Sequence, residues 1–446
     1  MKRGFYTIMS AQFFSSLADN ALFVAAVELL RTGGEPEWQR AALVPMFALF
    51  YVILAPFVGA FADSMPKGKV MFISNSIKVV GCLMMLFGSH PLIAYAVVGL
   101  GAAAYSPAKY GILTELLPSS QLVKANGWIE GLTIGSIILG VLLGGQLVGH
   151  AISTQLLTID LPMINTGIDT APEAAISVLI FVYILAAWFN TRIPHTGAVM
   201  RPMPKNWVTL LPDFWHCNTT LWKDKLGQIS LSTTTLFWGV SGNLRYIVLA
   251  WSAAALGYST TQASALVGVV AIGTAIGAVI ASMRMKLEHA TQLMPMGIAM
   301  GLLVILLNFI SNVWMAAPFL ILLGAIGGFL VVPMNALLQH RGHNLMGAGR
   351  SIAVQNFNEQ ACILFLGAFY TFVATINWSD FAVAKALGLS AMKPEHLSAY
   401  LAITCFGVIV ASVMWLIKRW HASNEVHHAA ELARLLAIAR SDNSHG

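Results

Sequence analysis

The sequence predicts an all-α membrane protein in which twelve spanning helices form two six-helix halves. Three observations lead there. Charged residues make up 10% of the 446 positions, against roughly 25% in soluble globular domains. The hydrophobic share is 57% and the mean hydropathy +0.73, so too little polar surface remains to face water. The apolar residues fall in blocks of about 20, the length that crosses a hydrocarbon layer roughly 30 Å thick.

Taken in order, the blocks are bounded by charge, Gly or Pro. The first, 6–31, follows Lys2 and Arg3; it is too long for a signal peptide and has no small-residue cleavage site, so it stays as a helix. Blocks 40–62 and 69–89 flank a short polar loop. Block 91–116 carries Pro107, whose missing N–H breaks the backbone ladder and is tolerated beside a cavity or neighbouring side chains. Blocks 125–149 and 173–192 complete the first half, separated by a 151–172 loop that has Asp160 and Asp169 but no Lys or Arg. The second half runs 229–256, 261–284, 291–310, 313–338, 346–376 and 396–418. Within it, Gly273-x-x-x-Gly277 reads as a helix-contact motif. The 377–395 connection, with Trp378 and Phe381, is expected along the membrane surface. In the tail, Val426, Leu432, Leu435, Leu436 and Ile438 recur near helical spacing, which fits either an amphipathic surface helix or a solvated extension of the last span.

Basic residues orient the chain. Of the 25 Lys and Arg, only Arg31, Arg40, Lys385 and Lys393 fall in one set of loops, and Lys78, Lys109 and Arg245 fall inside spans; the other eighteen lie at the N-terminus, the alternate loops and the tail. The positive-inside rule then puts both termini in the cytoplasm. The domains expected are a six-helix bundle over 1–192, a cytoplasmic connector over 193–228 with Arg201, Lys205, Lys223 and Lys225, a second bundle over 229–419 and a cytoplasmic tail over 420–446. An internal repeat supports the halves: Gly99-x-Gly101 with Pro107 six residues on matches Gly324-x-x-Gly327 with Pro333 six residues on. The net charge of +6 is not clustered, so no nucleic-acid partner is expected. Cys82, Cys217, Cys362 and Cys405 imply no disulfide framework.

Three charges inside spans carry the functional reading. Asp19 sits near the middle of the first block, where an ionisable residue costs roughly 2.5–3.5 kcal/mol and is functional by default. Gln12, Ser15, Ser16 and Asp19 share one helix face, expected to line a polar cavity. Lys109 lies just past Pro107, either in that cavity or snorkelling to the interface. Arg245, deep in block seven, wants an anion or a carboxylate. Two cations and an anion suit a zwitterion, with phosphate on Lys109 and Arg245 and an amine on Asp19. Asn20, Tyr110, Glu130, Gln355, Asn356 and Glu359 join the set as substrate-binding candidates, whereas Lys78 is expected to snorkel. No G-x-S-x-G, H-E-x-x-H, P-loop or H-x-x-x-x-D run is present, and His340 and His343 lack further ligands, so neither an enzyme, a metal nor a cofactor is expected.

The loop Gly59-Ala60-Phe61-Ala62-Asp63-Ser64-Met65-Pro66-Lys67-Gly68-Lys69 resembles the G-x-x-x-D-x-x-x-x-[RK] signature of the major facilitator superfamily, with one extra residue before its basic part. The resemblance implies the major facilitator fold, with helices one, four, seven and ten along the path and Gly59, Asp63, Lys67 and Lys69 as a conformational switch. The runs Phe13–Leu22, Gly101–Leu113, Val123–Gly127, Leu236–Gly239, Val331–Gln339 and Ala353–Asn356 further resemble the bacterial lysophospholipid transporter family. That resemblance implies movement of lysophospholipids, chiefly lysophosphatidylethanolamine, from the outer to the inner leaflet of the inner membrane by facilitated diffusion. A cytoplasmic acyltransferase–acyl carrier protein synthetase would then reacylate them. Polar-pocket roles carry over to Asp19, Lys109 and Arg245. The chain departs from the family in longer 151–172 and 377–395 loops and in Glu28. A proton-coupled antiporter of a drug or sugar, with Asp19 titrating, is the alternative.

Overall fold

The computed structural model describes residues 3–35, 37–158, 168–258, 260–375 and 394–444, and every long element among them is a helix. Helix α1 spans Arg3–Thr32. The second block, expected as one span, is two helices, α2 (Glu37–Ile53) and α3 (Ala55–Asp63), bent by 70° at Leu54. Pro56 causes the break: it has no N–H to continue the ladder and is placed instead in the first turn of α3.

Helices α4 (Lys67–Leu86) and α5 (Pro91–Leu116) follow. As expected of the 91–116 block, α5 runs through Pro107 as one helix that tolerates the missing N–H. After α6 (Ser119–Val148), part of the expected outer loop forms a short helix, α7 (His150–Leu157). Helix α8 (Ala171–Thr191) starts where the Glu173 carboxylate accepts from the N–H groups of Asp169 and Thr170. The connector contributes α9 (Leu210–Lys223).

The later helices are α10 (Gly227–Leu256), α11 (Thr260–Arg284), α12 (Met294–Leu306, extended by 3-10 turns), α13 (Val313–Met346) and α14 (Ala348–Thr375). Gly347, at φ 91°, makes the left-handed turn that separates α13 from α14. Helix α15 (Pro394–His427) and the tail helix α16 (Ala429–Ser444) complete the chain. Among the described residues nine helices are long and apolar enough to cross a membrane, ten if α2 and α3 count as one broken span. The more polar α10 and α14 bring the spanning positions to twelve. The segment 377–395, apart from its last two residues, lies outside the described residues, as do Asp160 and the centre of the 151–172 loop.

Contacts divide the chain into two compact units. One comprises Met1–Leu117, Leu132–Thr220 and Gly342–Phe357; the other comprises Pro118–Gly131, Leu221–Arg341 and Asn358–Gly446. In the first, α4 packs on α5 and α8, and α1 on α8. Two apolar clusters form there. One gathers Ile8, Ala11, Met71, Tyr105 and Ile112, the other Ala18, Leu22, Cys82, Val98 and Tyr183. Along α1 and α4 the residues between the clusters are Ser15, Ser74, Asn75 and Lys78, a polar layer between two greasy ones.

In the second unit α11 and α13 approach through glycine on both sides. A Cβ on Gly273 or Gly277 would collide with the carbonyls of Ile321 or Ala325, and one on Gly324 or Gly328 with those of Val270 or Thr274. Small residues permit this backbone contact and its dispersion energy. In the tail the last span runs on to His427, with Val426 exposed, before α16 begins. Helix α16 buries Leu432, Leu435 and Ala439 against its own unit, and Arg440 Nε donates to Glu288.

Candidate functional site

The polar layer of the first unit is built from helix periodicity. Ser15 and Asp19 are four apart on α1, and Ser74, Asn75 and Lys78 fall at steps of three and four on α4, so two polar stripes face each other. Lys78 Nζ donates to Asp19 Oδ2 at 2.7 Å and to Ser15 Oγ at 3.0 Å. Ser15 Oγ donates to Asn75 Oδ1 at 2.8 Å. On α8, the Tyr183 hydroxyl donates to Asp19 Oδ1 at 2.7 Å.

Both carboxylate oxygens are thereby engaged, one by a cation and one by a phenol. Lys78, expected to snorkel, is instead 1% exposed, with its ammonium 5.0 Å from the Tyr105 ring centroid and 5.6 Å from that of Tyr183. A buried ammonium is tolerated because an anion, a hydroxyl and two aromatic faces replace its water. Gly101 on α5 makes room: a Cβ there would lie 2.7 Å from Lys78 Cγ. Asp19 keeps 20% of its side chain exposed, so the pair has one open edge, on the carboxylate.

The signal for Lys78 was present in the sequence. Ser74, Asn75 and Lys78 repeat the stripe that singled out Gln12, Ser15 and Asp19, but a lysine in an apolar block invites the snorkelling reading.

The other candidates lie on several helices of the two units. Gln12 Nε2 donates to Thr133 Oγ1 on α6 at 3.3 Å. Asn20 Nδ2 donates to the Ser16 carbonyl at 2.8 Å, back onto its own helix. Lys109 is buried, with Nζ 4.0 Å from the Tyr110 ring centroid. Asn356 Nδ2 donates to Ser106 Oγ on α5 at 2.8 Å, beside Pro107. Gln355 and Glu359 are buried on α14. Arg245 and Glu130 occupy helical backbone in α10 and α6, and their side chains lie outside the described residues.

At the far end of the first unit, Asp63 closes α3 over the start of α14. Its Oδ1 accepts from the Gly349 N–H at 2.8 Å and its Oδ2 from the Arg350 N–H at 3.1 Å. A carboxylate at a helix N-terminus satisfies free N–H groups and opposes the helix dipole. Lys67 Nζ donates to Asp63 Oδ1 at 2.7 Å and lies 3.4 Å from Glu115 Oε1. Gly59 permits the approach, since a Cβ there would meet Ala353 Cβ at 2.8 Å. Lys69 is exposed.

The network extends into the connector, which sequence reasoning left out. The Arg201 N–H donates to the Asp63 carbonyl, and Arg350 Nε donates to Asp213 Oδ2 at 2.9 Å. Nearby Cys217 is no activated nucleophile: burial, then the Asp213 carboxylate, pushes its thiol up to about 11 against the pull of Arg350 and Arg201. Among the described residues, no group of three His, Cys, Asp or Glu could hold a metal ion.

Comparisons with known proteins bear on this arrangement. The sequence model of the Major Facilitator Superfamily matches residues 8–358. The chain is 39% identical over 371 residues to a protein of Yersinia enterocolitica serotype O:8 / biotype 1B named lysophospholipid transporter LplT, covering 83% of this chain and 87% of that one. It is 38% identical over 383 residues to the protein of that name from Yersinia pestis (strain Pestoides F), covering 84% and 88%. Among solved structures, the human organic anion transporter MFSD10 (TETRAN) superposes with a TM-score of 0.69 at 11% identity, covering 94% of this chain and all of that one. The transporter FucP, in an outward conformation, superposes at 0.65 with 13% identity, covering 94% and 98%. At such identities these structures speak to the fold.

Proposed function

Since the chain belongs to the major facilitator superfamily, and within it to the bacterial lysophospholipid transporters, we propose that it carries lysophospholipids, chiefly lysophosphatidylethanolamine, from the outer to the inner leaflet of the bacterial inner membrane. A lipid with one acyl chain still has a charged headgroup, and moving that through hydrocarbon unaided is the barrier. Fixed charges replace the headgroup's hydration while the acyl chain stays in apolar surroundings.

One observation carries the site: a charged pair stands in the middle of an apolar bundle with its carboxylate edge open. Asp19 takes the headgroup amine at that edge. Lys78, Ser15 and Tyr183 hold the carboxylate in place, and Lys109 and Arg245 take the phosphate. Gln12, Asn20, Tyr110, Glu130, Gln355, Asn356 and Glu359 line the same path. Gly59, Asp63, Lys67 and Lys69 act as the switch that locks and releases one state.

The moving bodies are the six-helix bundles 1–192 and 229–419, rocking about the site by alternating access. Both termini, the 193–228 connector and the 420–446 tail lie in the cytoplasm, where an acyltransferase–acyl carrier protein synthetase consumes the product. The chain itself performs no chemistry.

The competing reading is a proton-coupled antiporter of a drug or sugar, for which an ionisable pair inside the membrane would also serve. Uptake into proteoliposomes separates them. Facilitated diffusion predicts the same initial rate with and without a pH gradient; a rate that collapses when the gradient is dissipated favours the antiporter.

A further inference from the structure

The connector helix α9 has three faces, and an apolar one is left largely exposed, its Trp215 meeting an edge-on Phe357 ring at 5.7 Å. Leu210, Phe214, Cys217 and Leu221 are buried, at the three- and four-residue steps of one helix face. A second stripe at the same steps starts in the preceding turn: Val208, Leu211 and Trp215 are 67%, 42% and 51% exposed, with Trp207 beside them at 62%. It is rotated by roughly a third of a turn from the buried face. His216 and Lys223 make an exposed polar face on the other side. An exposed apolar stripe between a packed face and a wet one is the cross-section of a helix lying in an interface.

The charges point the same way. Both acids of this segment are neutralised by arginines, Asp224 in a buried pair and Asp213 in a partly exposed one. Asp213 accepts from Arg350 at 2.9 Å, and Asp224 accepts from Arg341 at 3.1 and 2.7 Å in a bidentate contact. Lys205 and Lys223, at the two ends, remain exposed. The outward charge of the segment is therefore positive around an aromatic stripe, the complement of an anionic phospholipid surface, to which each nearby basic residue adds about 1 kcal/mol of attraction. Tryptophan suits the headgroup boundary, with an apolar ring and one N–H.

We propose that α9 lies in the headgroup layer of the membrane, with Val208, Leu211 and Trp215 in the acyl boundary and Lys205 and Lys223 on anionic phospholipid headgroups. The connector is then a lipid-bound strap. This rests on the chain spanning a membrane and is independent of which solute it carries.

The full chain, reconstituted in bilayers containing phosphatidylglycerol, tests it by fluorescence. Subtracting the emission of Trp207→Phe/Trp215→Phe from that of the unaltered protein isolates two of the 12 tryptophans. That difference signal should be quenched at least twofold more by phospholipid brominated near the headgroup than by aqueous acrylamide. Lys205→Glu/Lys223→Glu, at exposed positions, should shift the quenching toward acrylamide. A difference signal quenched chiefly by acrylamide would show the stripe open to water, for a protein partner or none, and would overturn the proposal. Lipid quenching that survives charge reversal unchanged would overturn the role of anionic headgroups. Transport is not read in this experiment, so its outcome and that of the uptake assay stand apart.

Discussion

Asp19 stands out in the sequence as a candidate because a carboxylate amid hydrophobic neighbours is costly wherever it is found. Its partner was harder to find. Periodicity reports which residues share a face of one helix, but the pairing of α1 with α4 and α8 depends on tertiary packing, including the gap that Gly101 leaves for the Lys78 stem. The structure adds Lys78 to the candidates as the partner of Asp19, with Tyr183 and Ser15 beside the pair. Breaking such a pair strands one charge and costs on the order of 3–5 kcal/mol, whereas removing both partners is far milder. Lys78→Met should therefore lower the thermal midpoint in detergent sharply, and adding Asp19→Asn should restore most of it without restoring uptake. A double variant as unstable as Lys78→Met alone would mean that the two groups are not coupled.

At the scale of elements, block length and composition located the nine described helices that are long and apolar enough to span and the bent α2–α3 pair, since hydrocarbon thickness leaves few alternatives. Prolines were the weak point. Pro107 interrupts the ladder within α5 as expected, whereas Pro56, which the sequence does not single out, sits at a 70° bend. A proline lacks one donor in either place, and whether the helix bends depends on packing against the freed carbonyl. The Gly273-x-x-x-Gly277 motif was read as a contact, and its counterpart, Gly324-x-x-x-Gly328 on α13, appeared only in the structure. Gly277→Val would drive a side chain into the Ala325 carbonyl, a backbone atom that cannot step aside. Overpacking of this kind costs roughly 1–3 kcal/mol or more. Folded yield by size-exclusion chromatography should fall severalfold, while Gly131→Ala, with nothing within 4 Å of its added carbon, should leave it unchanged. Equal yields of the two would contradict the close approach of α11 and α13.

For the whole molecule, the family was legible in short runs such as Gly101–Leu113 and in the Asp63 loop, and likeness to curated proteins over 83–84% of the chain agrees. What the sequence could not supply was the connector's part, because Asp213 and Asp224 meet Arg350 and Arg341 only across long stretches of chain. The central claim is that this chain carries a lysophospholipid headgroup past the open edge of Asp19. Uptake of radiolabelled lysophosphatidylethanolamine into proteoliposomes, comparing the unaltered protein with Asp19→Asn, tests it most directly. The account predicts uptake well above that of protein-free vesicles and a loss of at least tenfold in the variant. Uptake no faster than in empty vesicles, or equal rates for the two proteins, would contradict it.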